Sequence, residues 1–182
     1  MPQGSEGGAG RPSVLLLVIA GTALGFAESL LPRPLPFLKP GFANIAGVLA
    51  AITLGTRGAL RVNATRCLAV ALATGTLATP SFVLSMSSAL SSALMMGSCS
   101  RLVPGRLSIT ALSVAGSAAG MAAQLIAACA ILPGLPVRAL LPPAAAWAVF
   151  SGAIVGIASA SLMRSGVMAR LQGGLVREPG QG

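Results

Sequence analysis

The sequence predicts an all-α fold, a polytopic membrane bundle of six transmembrane helices. Three observations carry this. Hydrophobic residues make up 54% of the 182 positions and charged residues only 8%, at a mean hydropathy of +0.86, too few charges to cover the surface of a soluble domain. The apolar runs are continuous rather than alternating and aromatics are only 3%, which argues against a transmembrane β-barrel. Most of the basic residues fall between the runs or near their ends, as they do in multi-spanning helical proteins.

Residues 1–12 are Gly-rich and polar and read as a disordered N-terminal segment. Residues 13–164 form the transmembrane domain and residues 165–182 a basic cytoplasmic tail, solvated or lying on anionic headgroups. Helix 1 is expected over Ser13–Leu31. Its start mimics a signal peptide, but the apolar run continues to Leu31 and five more follow, so it reads as a span. Helices 2 and 3 are expected over Phe42–Gly55 and Arg57–Leu77, helix 4 over Pro80–Gly97, helix 5 over Leu107–Leu132 and helix 6 over Pro143–Arg164. Pro80 and Pro143 suit first-turn positions. Helix 2 would be roughly 21 Å long at 1.5 Å per residue, short of a hydrocarbon core. It reads as a partial span ending inside the protein.

With an internal N-terminus, eight arginines fall inside (Arg11, Arg57, Arg61, Arg101, Arg106, Arg164, Arg170, Arg177) and three basic residues outside (Arg33, Lys39, Arg138). That bias predicts a plasma-membrane protein with both termini cytoplasmic. The loop after helix 1 then faces outside, stiffened by Pro32, Pro34, Pro36 and Pro40.

The available chemistry is narrow. The chain has no Asp, His or Tyr, and its acids are Glu6, Glu28 and Glu178. No metal cluster, Walker-type loop or other cofactor motif is present, so neither catalysis nor nucleic-acid binding is expected. Cys67, Cys99 and Cys129 stand far apart and read as small buried thiols.

Polar residues inside the spans are the informative ones. Arg66 either snorkels to the interface or points inward to an anionic partner, with Asn63 on the same face. Ser81, Ser85, Ser88 and Ser92 share one face of helix 4, and Thr110, Ser113, Ser117, Gly120 and Gln124 one face of helix 5. Such stripes serve close packing or a polar cavity wall. Glu28, Lys39, Asn44, Arg66 and Gln124 are the candidate substrate-binding residues, expected around one outward-opening cavity. Gly21, Ala23, Gly25 and Ala27 on helix 1 have spacings that let another helix approach, either internal or of a separate membrane protein, so they are the candidate partner-helix interface.

Glu28-Ser29-Leu30-Leu31-Pro32, followed by Lys39-Pro40-Gly41-Phe42-Ala43-Asn44-Ile45, resembles the hallmark of the Gx transporter family, also labelled heptaprenyl diphosphate synthase component I. Arg57-x-x-Leu60 with Arg66, and Ala123-Gln124-Leu125, resemble its later segments. Two departures stand out. Lys39-Pro40-Gly41-Phe42 reorders the usual Lys-Leu-Gly-Leu, and Gly120-Met121 stand where a His-Asn pair is usual, which removes a possible ligand contact.

The family is similar to the S components of energy-coupling factor transporters. That resemblance implies a solute site near the outer face, lidded by the loop after helix 1. It also implies a transmembrane coupling protein docked on helix 1, and separate ATPase subunits. The alternative is a non-catalytic membrane subunit of a heptaprenyl diphosphate synthase, because prenyl transfer needs carboxylate-bound Mg²⁺ and the chain has no aspartate. A purely structural membrane protein is the third reading.

Overall fold

The computed structural model describes residues 14–30, 41–103 and 106–165. The described part is all-helical: α1 Val14–Leu30, α2 Asn44–Thr53, α3 Gly55–Ala73, α4 Pro80–Leu102, α5 Ile109–Ile131 and α6 Val137–Arg164. Lys39, the N-terminal segment and all of the basic tail beyond Ser165 lie outside the described residues.

The helices α1, α3, α4, α5 and α6 pack in that order, each against the next, and α2 packs against all five. Among the described residues α1 and α6 do not touch, so the ring is open there and filled by α2. The short second helix is therefore the core of the bundle. Ile45, Ala46, Gly47, Val48, Leu49, Ala50 and Ala51 are all buried, leaving almost no face for lipid. Ten residues rise only about 15 Å, half a hydrocarbon core.

Among the described residues three helices are long and apolar enough to cross a membrane, α4, α5 and α6. α1 and α2 are apolar but shorter. α3 carries Arg57, Arg61 and Arg66. Leu15, Ile19, Leu72, Ile126, Phe150 and Ile157 stand exposed on the outside of the bundle, the apolar exterior that a lipid-facing protein needs.

Local signals fix the helix ends. α2 and α3 are separated only by Leu54, with Gly55 at φ +70° turning the chain. α3 ends where Gly75, at φ +66°, lets its own N–H bond Leu72 O at 3.3 Å and Thr76 N–H bond Ala71 O at 2.9 Å. This is a Schellman closure, and a side chain at Gly75 would strain it. Pro80 opens α4 as expected, and Ser108 caps α5 by accepting from Ala111 N at 3.1 Å.

Several boundaries differ from the sequence reading: α2 and α5 are shorter by one or two residues at each end, and α3 starts at Gly55 and ends at Ala73 rather than Leu77. α4 runs on to Leu102. α6 begins at Val137, so Pro142 and Pro143 lie inside it rather than at its start. The first turn forms ahead of them, with Ala139 N and Leu140 N both donating to Pro136 O. A proline in the second turn removes a helical donor without blocking the turn already made.

Candidate functional site

A cavity of about 430 Å³ opens among α1, the start of α2, α3, α4, α5 and α6. It lies at the end of the bundle that holds the C-terminal turn of α1, the α3–α4 turn and the entry to α2. Exposed Arg57, Arg61, Arg101, Arg106 and Arg164 belong to the opposite end.

Glu28, Asn44, Arg66 and Gln124 all line this one cavity, although they come from four different helices. Lys39, the fifth candidate, lies outside the described residues. Arg66 points inward and does not snorkel, with only 8% of its surface exposed. Its Nε donates to Asn63 Oδ1 at 2.8 Å, and Asn63 Nδ2 donates to Ala89 O of α4 at 3.0 Å. Asn63 is fully buried, so it acts as a fixed bracket for the guanidinium. Among the described residues nothing accepts from the two terminal nitrogens of Arg66.

Glycines on neighbouring helices make the room for this pair. A Cβ at Gly21 would stand 3.0 Å from Arg66 Cδ and 2.9 Å from Ala46 Cβ. A Cβ at Gly47 would stand 2.7 Å from Asn63 Oδ1. Sequence reading paired Asn63 with Arg66 but missed Gly47.

Glu28 is 6% exposed. Its Oε1 accepts from Gly41 N at 2.6 Å and its Oε2 from Ala43 N at 3.3 Å. A carboxylate here meets the positive end of α2 and ties the last turn of α1 to the entry of α2. Asn44, the first residue of α2, donates from Nδ2 to Ser92 Oγ at 3.3 Å, while its buried Oδ1 has no partner. Gln124 is 6% exposed. Its amide makes no hydrogen bond among the described residues.

The two hydroxyl stripes divide. Ser81, Ser85, Ser88 and Ser92 all line the cavity, as do Ser117, Gly120 and Gln124. Ser88 and Ser92 also pack against Gly120 and Gly116, so the α4 stripe serves both purposes. Thr110 and Ser113 instead sit beneath Gly156 of α6. Cys67 lines the cavity, and all three cysteines are half-buried rather than buried.

The helix 1 interface needs correction. Gly21 and Gly25 turn inward, Gly21 onto α2 and α3 and Gly25 to within 3.0 Å of Val70 Cγ2. Ala23 and Ala27 are exposed on the other side. Residues two apart on a helix are about 200° apart, so these pairs could not form one face. Only the alanine pair is left for a partner helix.

Comparison with curated proteins and with solved structures finds no match. The model of one protein family, described as heptaprenyl diphosphate synthase component I, matches residues 17–162. The match covers every helix described above except the first three residues of α1 and the last two of α6. The chain therefore belongs to the heptaprenyl diphosphate synthase component I family, also called the Gx transporter family.

Proposed function

We propose that this protein is the membrane-embedded solute-binding subunit of a transporter, working with a separate coupling protein and ATPase subunits. The observation that carries the proposal is the cavity. A volume of about 430 Å³ suits a small molecule, since such sites run from about 300 to 1,000 Å³. Arg66 and Gln124, each more than nine-tenths buried, offer it hydrogen-bonding groups that nothing in the described protein uses. Polar groups inside a membrane protein are costly unless they meet a partner, and a solute supplies one.

The test is mass spectrometry of small molecules that co-purify with the detergent-solubilised protein, followed by their rebinding. Asn44→Ala and Gln124→Ala are each expected to weaken rebinding by about 1–3 kcal/mol, the cost of leaving a buried polar partner unsatisfied. Co-purification of no solute, or rebinding unchanged in both variants, would refute the cavity as the site.

The same reading makes the protein multi-pass in the plasma membrane, with the cavity facing outward and both termini cytoplasmic. Five exposed arginines at the end opposite the cavity, against Arg138 at the cavity end, support that orientation among the described residues. In a variant without Cys67, Cys99 and Cys129, Ala78→Cys should react with an impermeant maleimide on intact cells and Ser165→Cys should not. The opposite pattern would invert the topology.

The family description favours a second reading, a non-catalytic membrane subunit of a heptaprenyl diphosphate synthase. Affinity purification separates the two: an ATPase and a second membrane protein accompany a transporter subunit, and a soluble prenyl synthase accompanies the other.

A further inference from the structure

We propose that the cavity takes its solute by a single carboxylate seated on the terminal nitrogens of Arg66. This rests on the solute-binding reading and names the chemical class of the solute.

Among the described residues, two side chains of opposite charge line the cavity, Arg66 and Glu28. They do not form an ion pair with one another: both oxygens of Glu28 accept from the backbone at the start of α2, at 2.6 and 3.3 Å. Its charge is met by the N–H groups and dipole of the central helix. Arg66 has no such counterpart among the described residues. One acceptor, Asn63 Oδ1, holds its Nε, and the rest of the guanidinium is left toward the cavity. Among the described residues the site therefore presents one unmatched positive charge.

The shape of that charge matters. Nε is bracketed through Asn63 to the α4 backbone at Ala89, and Gly21 leaves just enough room for the side-chain stem. The Nη pair is thus held in place before any ligand arrives. A fixed guanidinium edge matches the two oxygens of a carboxylate in a bidentate pair, and pre-orientation lowers the ordering cost of binding.

Charge decides among the alternatives. An ammonium group would be repelled by Arg66 at close range. A neutral solute would leave a buried guanidinium without a counter-charge, and a phosphate dianion would bring one charge more than the site can meet at low dielectric. The monoanion balances. Gln124, Asn44 and the α4 serine wall then line the space left for the body of the solute, which should carry hydroxyl or amide groups.

The test uses four probes with one phenol body and different heads: 4-hydroxybenzoate, 4-hydroxybenzamide, 4-hydroxybenzylamine and 4-hydroxyphenyl phosphate. Each is added at millimolar concentration to the purified full chain, and binding is read as a shift in melting temperature. The carboxylate should stabilise the wild type and bind about tenfold or more tightly than the other three. Arg66→Gln should lose that preference, and Arg66→Lys should keep part of it, because Lys retains the charge and loses the fork. The melting temperatures of both variants without probe report folding separately.

If the amide, amine or phosphate binds as well as the carboxylate, or if Arg66→Gln binds 4-hydroxybenzoate unchanged, the class is wrong while the cavity remains a solute site. The same holds if the molecule that co-purifies with the wild type is a phospholipid, an inorganic anion or any solute without a carboxylate. If no probe binds and nothing co-purifies, the solute-binding reading falls together with this one.

Discussion

Gly156→Leu is expected to abolish the folded protein, seen as loss of the monodisperse peak in size-exclusion chromatography of the detergent-solubilised chain. A Cβ at Gly156 would lie 2.6 Å from Thr110 Cα and 3.1 Å from Ser113 Cβ. One turn away, a Cβ at Gly152 would lie 2.8 Å from Val114 Cα and 3.0 Å from Ser117 Oγ. Two of these contacts are to main-chain atoms, which cannot rotate away as a side chain can. The two glycines are four residues apart and so lie on one face of α6, forming the groove into which α5 fits.

Even Gly156→Ala inserts a methyl group into occupied space and should cost about 1–3 kcal/mol, the usual penalty for overpacking. Leucine adds three more carbons along the same line. The cavity would be lost as well, because Ser151 on α6 and Ser117 on α5 both belong to its wall. A Gly156→Leu protein that elutes and melts like the wild type would show that α5 and α6 do not approach this closely.

The same four-residue glycine spacing occurs on helix 1 and on α6, and in both it marks close packing within the chain. Small residues four apart say that something comes close; they do not say what. Gly21 and Gly25 make way for Arg66 and Val70 of the same chain, and Gly152 and Gly156 for α5. Polar residues were easier to place. Among apolar neighbours an Arg, an Asn or a Gln has few places to go, so the sequence alone points Arg66, Asn44 and Gln124 to one cavity, which all three line.

The short second helix was legible for the same reason that it is buried. A segment too short to span must end inside protein, and α2 does. The start of α6 was not legible, because Pro142 and Pro143 are strong local signals and the turn ahead of them is set by Pro136 and the Val137–Leu141 stretch.

Glu28→Ala is expected to destabilise the protein by about 3–6 kcal/mol, from two hydrogen bonds to a charged acceptor at roughly 1.5–3 kcal/mol each. The carboxylate is buried, and it accepts from Gly41 N and Ala43 N together. Removing it leaves both donors without a partner at the mouth of the helix that touches all others. Gly41 sits at φ +83°, a left-handed conformation that glycine tolerates and that the carboxylate helps to hold. Glu28→Gln should fall between, since an amide oxygen can still accept one of the two bonds but brings no charge to the helix terminus.

Two measurements decide what Glu28 does. Denaturant or thermal unfolding in detergent gives the loss of stability, and hydrogen exchange at the Gly41 and Ala43 amides gives its location. A latch predicts that Glu28→Ala speeds exchange at those two amides and weakens solute binding only as a consequence. If instead exchange and melting stay at wild-type values while solute binding disappears, the carboxylate is a ligand group, and the solute must carry a cation to meet it. That outcome would also overturn the single-carboxylate solute, so this one substitution tests both the latch and the charge of the cavity.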